Sequence, residues 1–164
     1  IPARNGKFTY YYATETGYGL AAGTELTLKG SLKSGLRWRV GYTYTVTPDH
    51  SGIKYNQLYS YVDYSNSTPR HVVIASIGDT WGPWEADLQA RWQSAYRDFV
   101  APDQENLLHY SIGAYATVNA RLAYRLNDNA TVAFTVDQLN AASQRETGGP
   151  NVQRQFMLSL TSGF

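Results

Sequence analysis

Apolar and polar residues alternate one for one along most of this chain. Between Leu36 and Val46 one set is Leu36, Trp38, Val40, Tyr42, Tyr44 and Val46, and the other is Arg37, Arg39, Gly41, Thr43 and Thr45. Successive side chains of an extended strand point to opposite faces, so this spacing predicts a strand with one apolar face. From Trp84 to Arg97, Trp84, Ala86, Leu88, Ala90, Trp92 and Tyr96 alternate with Glu85, Asp87, Gln89, Arg91, Gln93 and Arg97. From Ala114 to Leu126, Ala116, Val118, Ala120, Leu122, Tyr124 and Leu126 oppose Thr117, Asn119, Arg121 and Arg125. The end of the chain sets Phe156, Leu158, Leu160 and Phe164 against Gln155, Met157, Ser159 and Thr161. Weaker alternation predicts strands over Lys7–Glu15, Thr24–Leu32 and Ala130–Leu139. His71–Trp81 is apolar, but Val72, Val73 and Ile74 in succession leave its phase open.

The pattern gives eight strands, most of them about 9–14 residues long. Soluble strands average about 5–6 residues, whereas a tilted membrane-crossing strand needs about 9–11. Turn-forming residues mark short connections at Lys33-Ser34-Gly35, Gly82-Pro83 and Asn127-Asp128-Asn129. Longer connections fall at 47–70, 98–113 and 140–153, with a modest one at 16–23. Every short turn follows an even strand and every longer loop an odd one. That is the short-periplasmic, long-extracellular asymmetry of an outer-membrane barrel, with both chain ends in the periplasm.

Composition narrows the picture. The chain has 164 residues with 14 Lys+Arg against 13 Asp+Glu, a net charge of +1, and so gives no whole-chain reason to expect a nucleic-acid partner. Charged residues make up 16%, below the roughly 25% of an ordinary soluble protein. No apolar stretch approaches the roughly 20 residues of a membrane-spanning helix. The absence of cysteine excludes disulfides, thiolate metal sites and a Cys nucleophile.

Alternation alone fits two assignments. A soluble barrel turns its apolar face inward, while an outer-membrane barrel turns it out to lipid and its polar face to the lumen. Three features favour the membrane: strand length, Trp38, Trp81, Trp84, Tyr44, Tyr96 and Tyr110 near strand ends as in an aromatic girdle, and a polar face rich in Arg, Glu, Asp, Gln and Thr.

Several short patterns carry a resemblance. They are Gly23-Thr24-Glu25-Leu26-Thr27-Leu28, the run from Gly35 to Tyr44 after a short turn, Pro69-Arg70-His71 and Trp92 to Asp98. Next come Asn119 to Asn129, Val136-Asp137-Gln138-Leu139-Asn140, and the closing strand from Arg154 to Phe164. In order and spacing over residues 17–164 they resemble the C-terminal barrel region of TonB-dependent outer-membrane receptors. Gln138 stands where that family usually has Asn, Asn140 replaces an aromatic, and Ser162 replaces an aromatic or apolar residue. Nothing resembles the plug domain, the TonB-contacting segment or the first barrel strands. The resemblance implies an all-β, antiparallel transmembrane barrel. Residues 1–164 would form the C-terminal eight strands of a larger, 22-stranded wall with a plugged lumen.

Candidate chemistry is sparse. The terminal apolar strand, with Phe156, Leu158, Leu160 and the aromatic Phe164, resembles the signal read by the barrel-assembly machinery. On the polar faces Lys29, Arg37, Arg39, Arg91, Arg97, Arg121 and Arg125 can guide an anion through a pore. Pairing with Glu25, Glu85, Asp87 and Asp137 is the stronger expectation, because ionised groups away from bulk water need partners. The 48–69 loop offers Tyr55, Tyr59, Tyr61 and Tyr64, either for stacking on a ligand or for packing on one another. His50, His71 and His109 lack metal-ligand spacing. No phosphate-binding loop or nucleophile elbow is present.

The sequence therefore predicts a non-enzymatic segment of an outer-membrane uptake receptor, without cofactor, for a bulky scarce nutrient such as an iron chelate, cobamide or oligosaccharide. Its expected partners are outer-membrane lipid and lipopolysaccharide, the rest of the barrel with its plug, the assembly machinery, and TonB only through the missing part. The alternatives are a self-contained eight-stranded outer-membrane barrel with a structural or adhesive role, and a soluble lipocalin-like ligand-binding barrel.

Overall fold

The computed structural model describes residues 17–51, 65–100 and 108–163. The strand expected at Lys7–Glu15, the loop tyrosines Tyr55, Tyr59, Tyr61 and Tyr64, and the terminal Phe164 lie outside the described residues. Among the described residues there are thirteen strands and no helix. The first six are β1 (Gly17–Gly19), β2 (Ala22–Ser31), β3 (Arg37–Val46), β4 (Asp49–Ser51), β5 (His71–Trp81) and β6 (Trp84–Gln93). They are followed by β7 (Tyr96–Val100), β8 (Leu108–Ile112), β9 (Tyr115–Asn127), β10 (Ala130–Asp137), β11 (Ser143–Gln144), β12 (Val152–Gln153) and β13 (Gln155–Ser162).

Seven long strands form one antiparallel sheet in the order β13-β10-β9-β6-β5-β3-β2. These are the strands the alternation predicts after residue 16. The sheet is an up-and-down meander, with β2 and β13 at its two edges among the described residues. Three two-stranded pairings, β1–β4, β7–β8 and β11–β12, stand in the longer connections. Each continues a long hairpin beyond a break in its ladder.

The short turns follow from their residues. In the β2–β3 turn Gly35 has φ 105°, a left-handed conformation that suits glycine, and its amide donates to the Leu32 carbonyl at 3.1 Å. At the β9–β10 turn the Asn127 side-chain oxygen accepts the Asn129 amide at 2.9 Å, a side-chain mimic of a backbone turn. Trp81 pairs directly with Trp84 across Gly82-Pro83.

Two expectations are corrected. The strand predicted over Trp84–Arg97 is broken at Ser94-Ala95, so Arg97 belongs to β7 and not to the polar face of the large sheet. The Ser94 amide donates to the His71 carbonyl, and the Arg97 amide to that of Asn66 (2.9 and 2.8 Å). The 98–113 connection is not plain loop, because β7 and β8 form a hairpin across it.

This single layer buries little. Among the described residues the buried apolar side chains are Ile112, Ala123, Ala133 and Val136, while Leu158, Leu160 and Phe156 are 75, 68 and 65% exposed. The exposed apolar residues are not scattered. Register aligns Trp38, Ile77, Leu88, Ala120, Val136 and Phe156 in one row across six strands. The next row toward the short turns holds Ala86, Leu122, Phe134 and Leu158. Patches of this extent are rare on soluble monomers. Aromatic rings cluster at both ends of the face. Trp84 meets Tyr124 edge-on at 4.7 Å near the short turns, and Tyr42 and Tyr44 pack on His71 at the other end.

Candidate functional site

The opposite face of the same strands gathers the charges. By register Glu25, Lys29, Arg37, Arg39, Glu85, Asp87, Arg91, Arg121, Arg125 and Asp137 all fall on it. One row reads Ser31, Arg37, Gly78, Asp87, Arg121 and Thr135 across β2, β3, β5, β6, β9 and β10.

Around that row, with Glu85 from the row beside it, an ion lattice closes. Arg37 Nη2 lies 2.9 Å from Asp87 Oδ1 and 3.3 Å from Glu85 Oε1. Arg121 Nη1 lies 3.3 Å from Asp87 Oδ2 and 3.5 Å from Glu85 Oε2. Arg37 and Asp87 are two strands apart, with Gly78 of β5 between them. A Cβ on Gly78 would come 2.3 Å from Asp87 Oδ1 and 3.0 Å from Arg37 Nη2. The bare glycine is what lets the guanidinium reach over β5. The four side chains remain 37–47% exposed, so solvent screens each pair and it adds little to stability. The lattice neutralises two positive charges.

The adjacent row differs. Lys29 and Arg39 stand directly opposite each other on β2 and β3. Neither has a carboxylate within ion-pair distance among the described residues. Ser76, Gln89 and Asn119 continue the row. With Arg37, Arg121 and Asp137 these residues line an open concavity of about 850 Å³. Directly opposed like charges are destabilising in a sheet, so the pair is not explained by stability.

Beyond the end of the sheet opposite the short turns, the 138–154 segment folds back over the same face. Glu146 is its anchor. Its Oε1 accepts from Gln138 Nε2 at 2.6 Å and from Thr117 Oγ1 at 3.4 Å, and the Tyr96 hydroxyl donates to its carbonyl. The Gly148 amide donates to Asp98 Oδ2 at 2.6 Å, and the Arg145 guanidinium sits 5.2 Å above the Tyr110 ring. Burial holds the Tyr96 phenol above its ordinary value, and the charges of Asp98 and Glu146 act the same way.

Sequence reasoning did not single out Glu146, and it read Gln138 only as a departure from the family pattern. One signal was available. Gln138 adopts φ 56°, and Asn is the residue that tolerates this left-handed conformation best after glycine. The family habit of Asn at this point therefore marks a backbone requirement. Here the surroundings hold Gln138 in place: its amide donates to Asn119 Oδ1 at 3.1 Å, and its carbonyl accepts from Arg154 Nε at 3.1 Å. Asn140 has an equally local reason. Its side chain accepts the Val118 amide and donates to the Ala116 carbonyl, both at 2.9 Å, and so extends the β9 ladder. Phe156, Leu158 and Leu160 lie on β13 with their side chains exposed on the apolar face.

An all-β antiparallel wall with one lipid-like face and one charged face is the architecture of a transmembrane barrel. Residues 2–139 match the family model described as TonB dependent receptor-like, beta-barrel. This chain belongs to that TonB-dependent receptor-like β-barrel family, which consists of outer-membrane receptors and transporters, not enzymes. Solved structures of similar fold include the pyoverdine outer membrane receptor FpvA of Pseudomonas aeruginosa bound to pyoverdine. That structure has TM-score 0.67 and 19% identity, and the match covers 89% of this chain and 22% of the receptor. A variant of the ferric enterobactin receptor PfeA, also of P. aeruginosa, has TM-score 0.59 and 22% identity, covering 87% of this chain and 22% of that one. The FrpB iron transporter of Neisseria meningitidis has TM-score 0.65 and 19% identity, covering 89% and 23%. The chain thus spans about a fifth of the length of these structures. No curated protein matches it in sequence.

Proposed function

We propose that this chain is a wall segment of an outer-membrane receptor that takes up a ferric chelate. The observation that carries the proposal is the division of the seven-stranded sheet into an exposed apolar face and a charged face. The apolar face meets lipid, and the charged face lines the lumen. The structural neighbours are described as receptors or transporters of ferripyoverdine, ferric enterobactin and iron, which supports an iron chelate over a cobamide or an oligosaccharide. The uncompensated Lys29–Arg39 pair suits an anionic chelate passing along the wall.

In this reading further strands complete a 22-stranded barrel, and a plug outside this chain fills it and meets TonB. The edges β2 and β13 join strands elsewhere, since an unpaired edge in lipid leaves backbone groups unsatisfied at several kcal/mol each. Lys7–Glu15 would continue the wall beyond β2. The terminal strand carries the assembly signal, the short turns and both chain ends face the periplasm, and the loops holding Tyr55–Tyr64 and Glu146 face outward, where lipopolysaccharide surrounds the wall.

The test is uptake of radioactive iron by iron-limited cells with and without the intact gene, across a panel of ferric chelates. Loss of uptake for one chelate, restored by the gene, is the expected result. Unchanged iron uptake together with lost uptake of a cobamide or oligosaccharide would overturn the choice of cargo. An epitope after Ser34 should be hidden on intact cells and one after Ser51 exposed; the reverse would overturn the orientation.

A further inference from the structure

The apolar face of the seven-stranded sheet is not wholly without charge. Asp79 of β5 lies on it, directly opposite Ala86 of β6. Among the described residues of these strands, no other Asp, Glu, Lys or Arg shares that face. One carboxylate oxygen, Oδ1, accepts the Thr80 amide at 2.8 Å and lies against Gly35 of the neighbouring turn. The other, Oδ2, has no partner among the described residues, and Lys33 in that turn makes no ion pair with it. The Thr80 hydrogen bond explains a side-chain oxygen at this position. It does not explain a charge.

Beside the carboxylate the face is hollowed. A depression of about 510 Å³ opens over Ala86 and Ala120, between Leu36, Ile77, Leu122 and Phe134, and Asp79 lines its rim. Volumes of about 300–1,000 Å³ are those of small-molecule sites. Two residues farther along β5, roughly 7 Å, Trp81 joins Trp84 and Tyr124 in the aromatic band that marks a membrane–water interface. The carboxylate therefore sits at headgroup depth, with the hollow extending from it toward the bilayer centre.

We propose that this depression binds one phospholipid bearing a primary ammonium, of the phosphatidylethanolamine type. The site rests on the reading that the apolar face meets lipid. An acyl chain fills the hollow over Ala86 and Ala120, and the ammonium donates to Asp79 Oδ2. A choline headgroup has the charge but no N–H to donate, and an anionic headgroup is repelled. The alanines supply room, and the carboxylate supplies selection among lipids.

The test uses the protein extracted from outer membranes in mild detergent. Native mass spectrometry then measures retention of phosphatidylethanolamine, phosphatidylcholine and phosphatidylglycerol with identical acyl chains. Phosphatidylethanolamine should be retained about tenfold over phosphatidylglycerol, the scale of one charge-assisted hydrogen bond, and more weakly preferred over phosphatidylcholine. Asp79→Asn keeps the acceptor for Thr80 and removes the charge, so it should bring phosphatidylethanolamine down to the phosphatidylcholine level. Ala120→Phe fills the hollow and should lower retention of all three. An unchanged ethanolamine preference in Asp79→Asn, or equal retention of ethanolamine and choline lipids by the unaltered protein, would overturn the site. A protein that stays soluble without detergent and retains no lipid would contradict the membrane reading itself, an outcome distinct from lipid bound without preference.

Discussion

The two faces of the same seven strands follow opposite rules. On one, Asp79 is the lone Asp, Glu, Lys or Arg among the described residues, in rows of Leu, Val, Ile, Phe and Trp; on the other, charges stand in adjacent rows and are handled differently in each. The Arg37–Asp87–Arg121 row, with Glu85 beside it, is closed and neutral. The Lys29–Arg39 row, two residues away along the strands, carries two positive charges with no carboxylate in contact among the described residues. The closed row has the marks of wall structure. The open row keeps a positive potential in a concavity wide enough for a solute.

The largest expected effect comes from moving a charge between faces. Leu122→Arg places a cation among apolar neighbours two residues inside the Trp84–Tyr124 band, where the cost lies between about 0–1 kcal/mol near the interface and about 2–4 kcal/mol at the bilayer midplane. Asn119→Arg adds the same cation to the polar face. The first should sharply reduce folded barrel on heat-modifiability gels, and the second should leave it near normal. Equal tolerance would erase the distinction between the faces.

Next is the bridge over β5. Gly78→Val puts a branched side chain where even a Cβ comes 2.3 Å from Asp87, and overpacking of this kind costs about 1–3 kcal/mol. Urea unfolding in detergent measures it. In an Arg37→Ala background the penalty should shrink, because the guanidinium no longer has to cross.

Smaller, and opposite in sign, is the open row. Lys29→Gln or Arg39→Gln relieves a directly opposed like-charge pair and should raise stability by about 0.2–1 kcal/mol. Uptake of an anionic chelate should nevertheless fall. A variant that gained stability with full uptake would make the open row irrelevant to transport.

The smallest effect concerns the Tyr96–Glu146 clasp. The Tyr96 phenol is raised in the folded state, so its contribution is fully present below the ordinary tyrosine value near pH 10 and is lost as pH rises through the folded value. Proteolysis within 140–153 should accelerate in strong alkali, and Tyr96→Phe should remove that acceleration.

Seven long strands were legible because the period of two is undiluted over ten residues or so, and one buried or lipid-covered face fixes the phase. His71–Trp81 resisted because three branched apolar residues run together. In the sheet Val73 joins the apolar face with Ile77, while Val72 and Ile74 fall among polar neighbours. The break at Ser94-Ala95 was invisible for a different reason. It spans two residues, so Trp92 and Tyr96 keep the same parity and the alternation reads straight through. Charge pairing was foreseeable in kind but not in its partners. Arg37 reaches Asp87 only because register places Gly78 between them, and register is a property of three strands at once. Glu146 and Asp79 acquire their roles in the same way, from neighbours 29 and 44 residues away in sequence, Thr117 and Gly35 respectively.

The account depends most on which face meets lipid. Residues 1–164 contain no cysteine, so single cysteines introduced at Leu88, Leu122 and Phe134 can be compared with single cysteines at Gln89, Asn119 and Thr135. Each would carry a spin label in reconstituted bilayers, with collision rates measured against oxygen, which concentrates in lipid, and against a water-soluble nickel complex. Labels at the first three positions should collide with oxygen and be shielded from nickel, and labels at the other three should show the reverse. Nickel access at Leu88, Leu122 and Phe134 equal to that at Asn119 would contradict the assignment of the apolar face to the membrane.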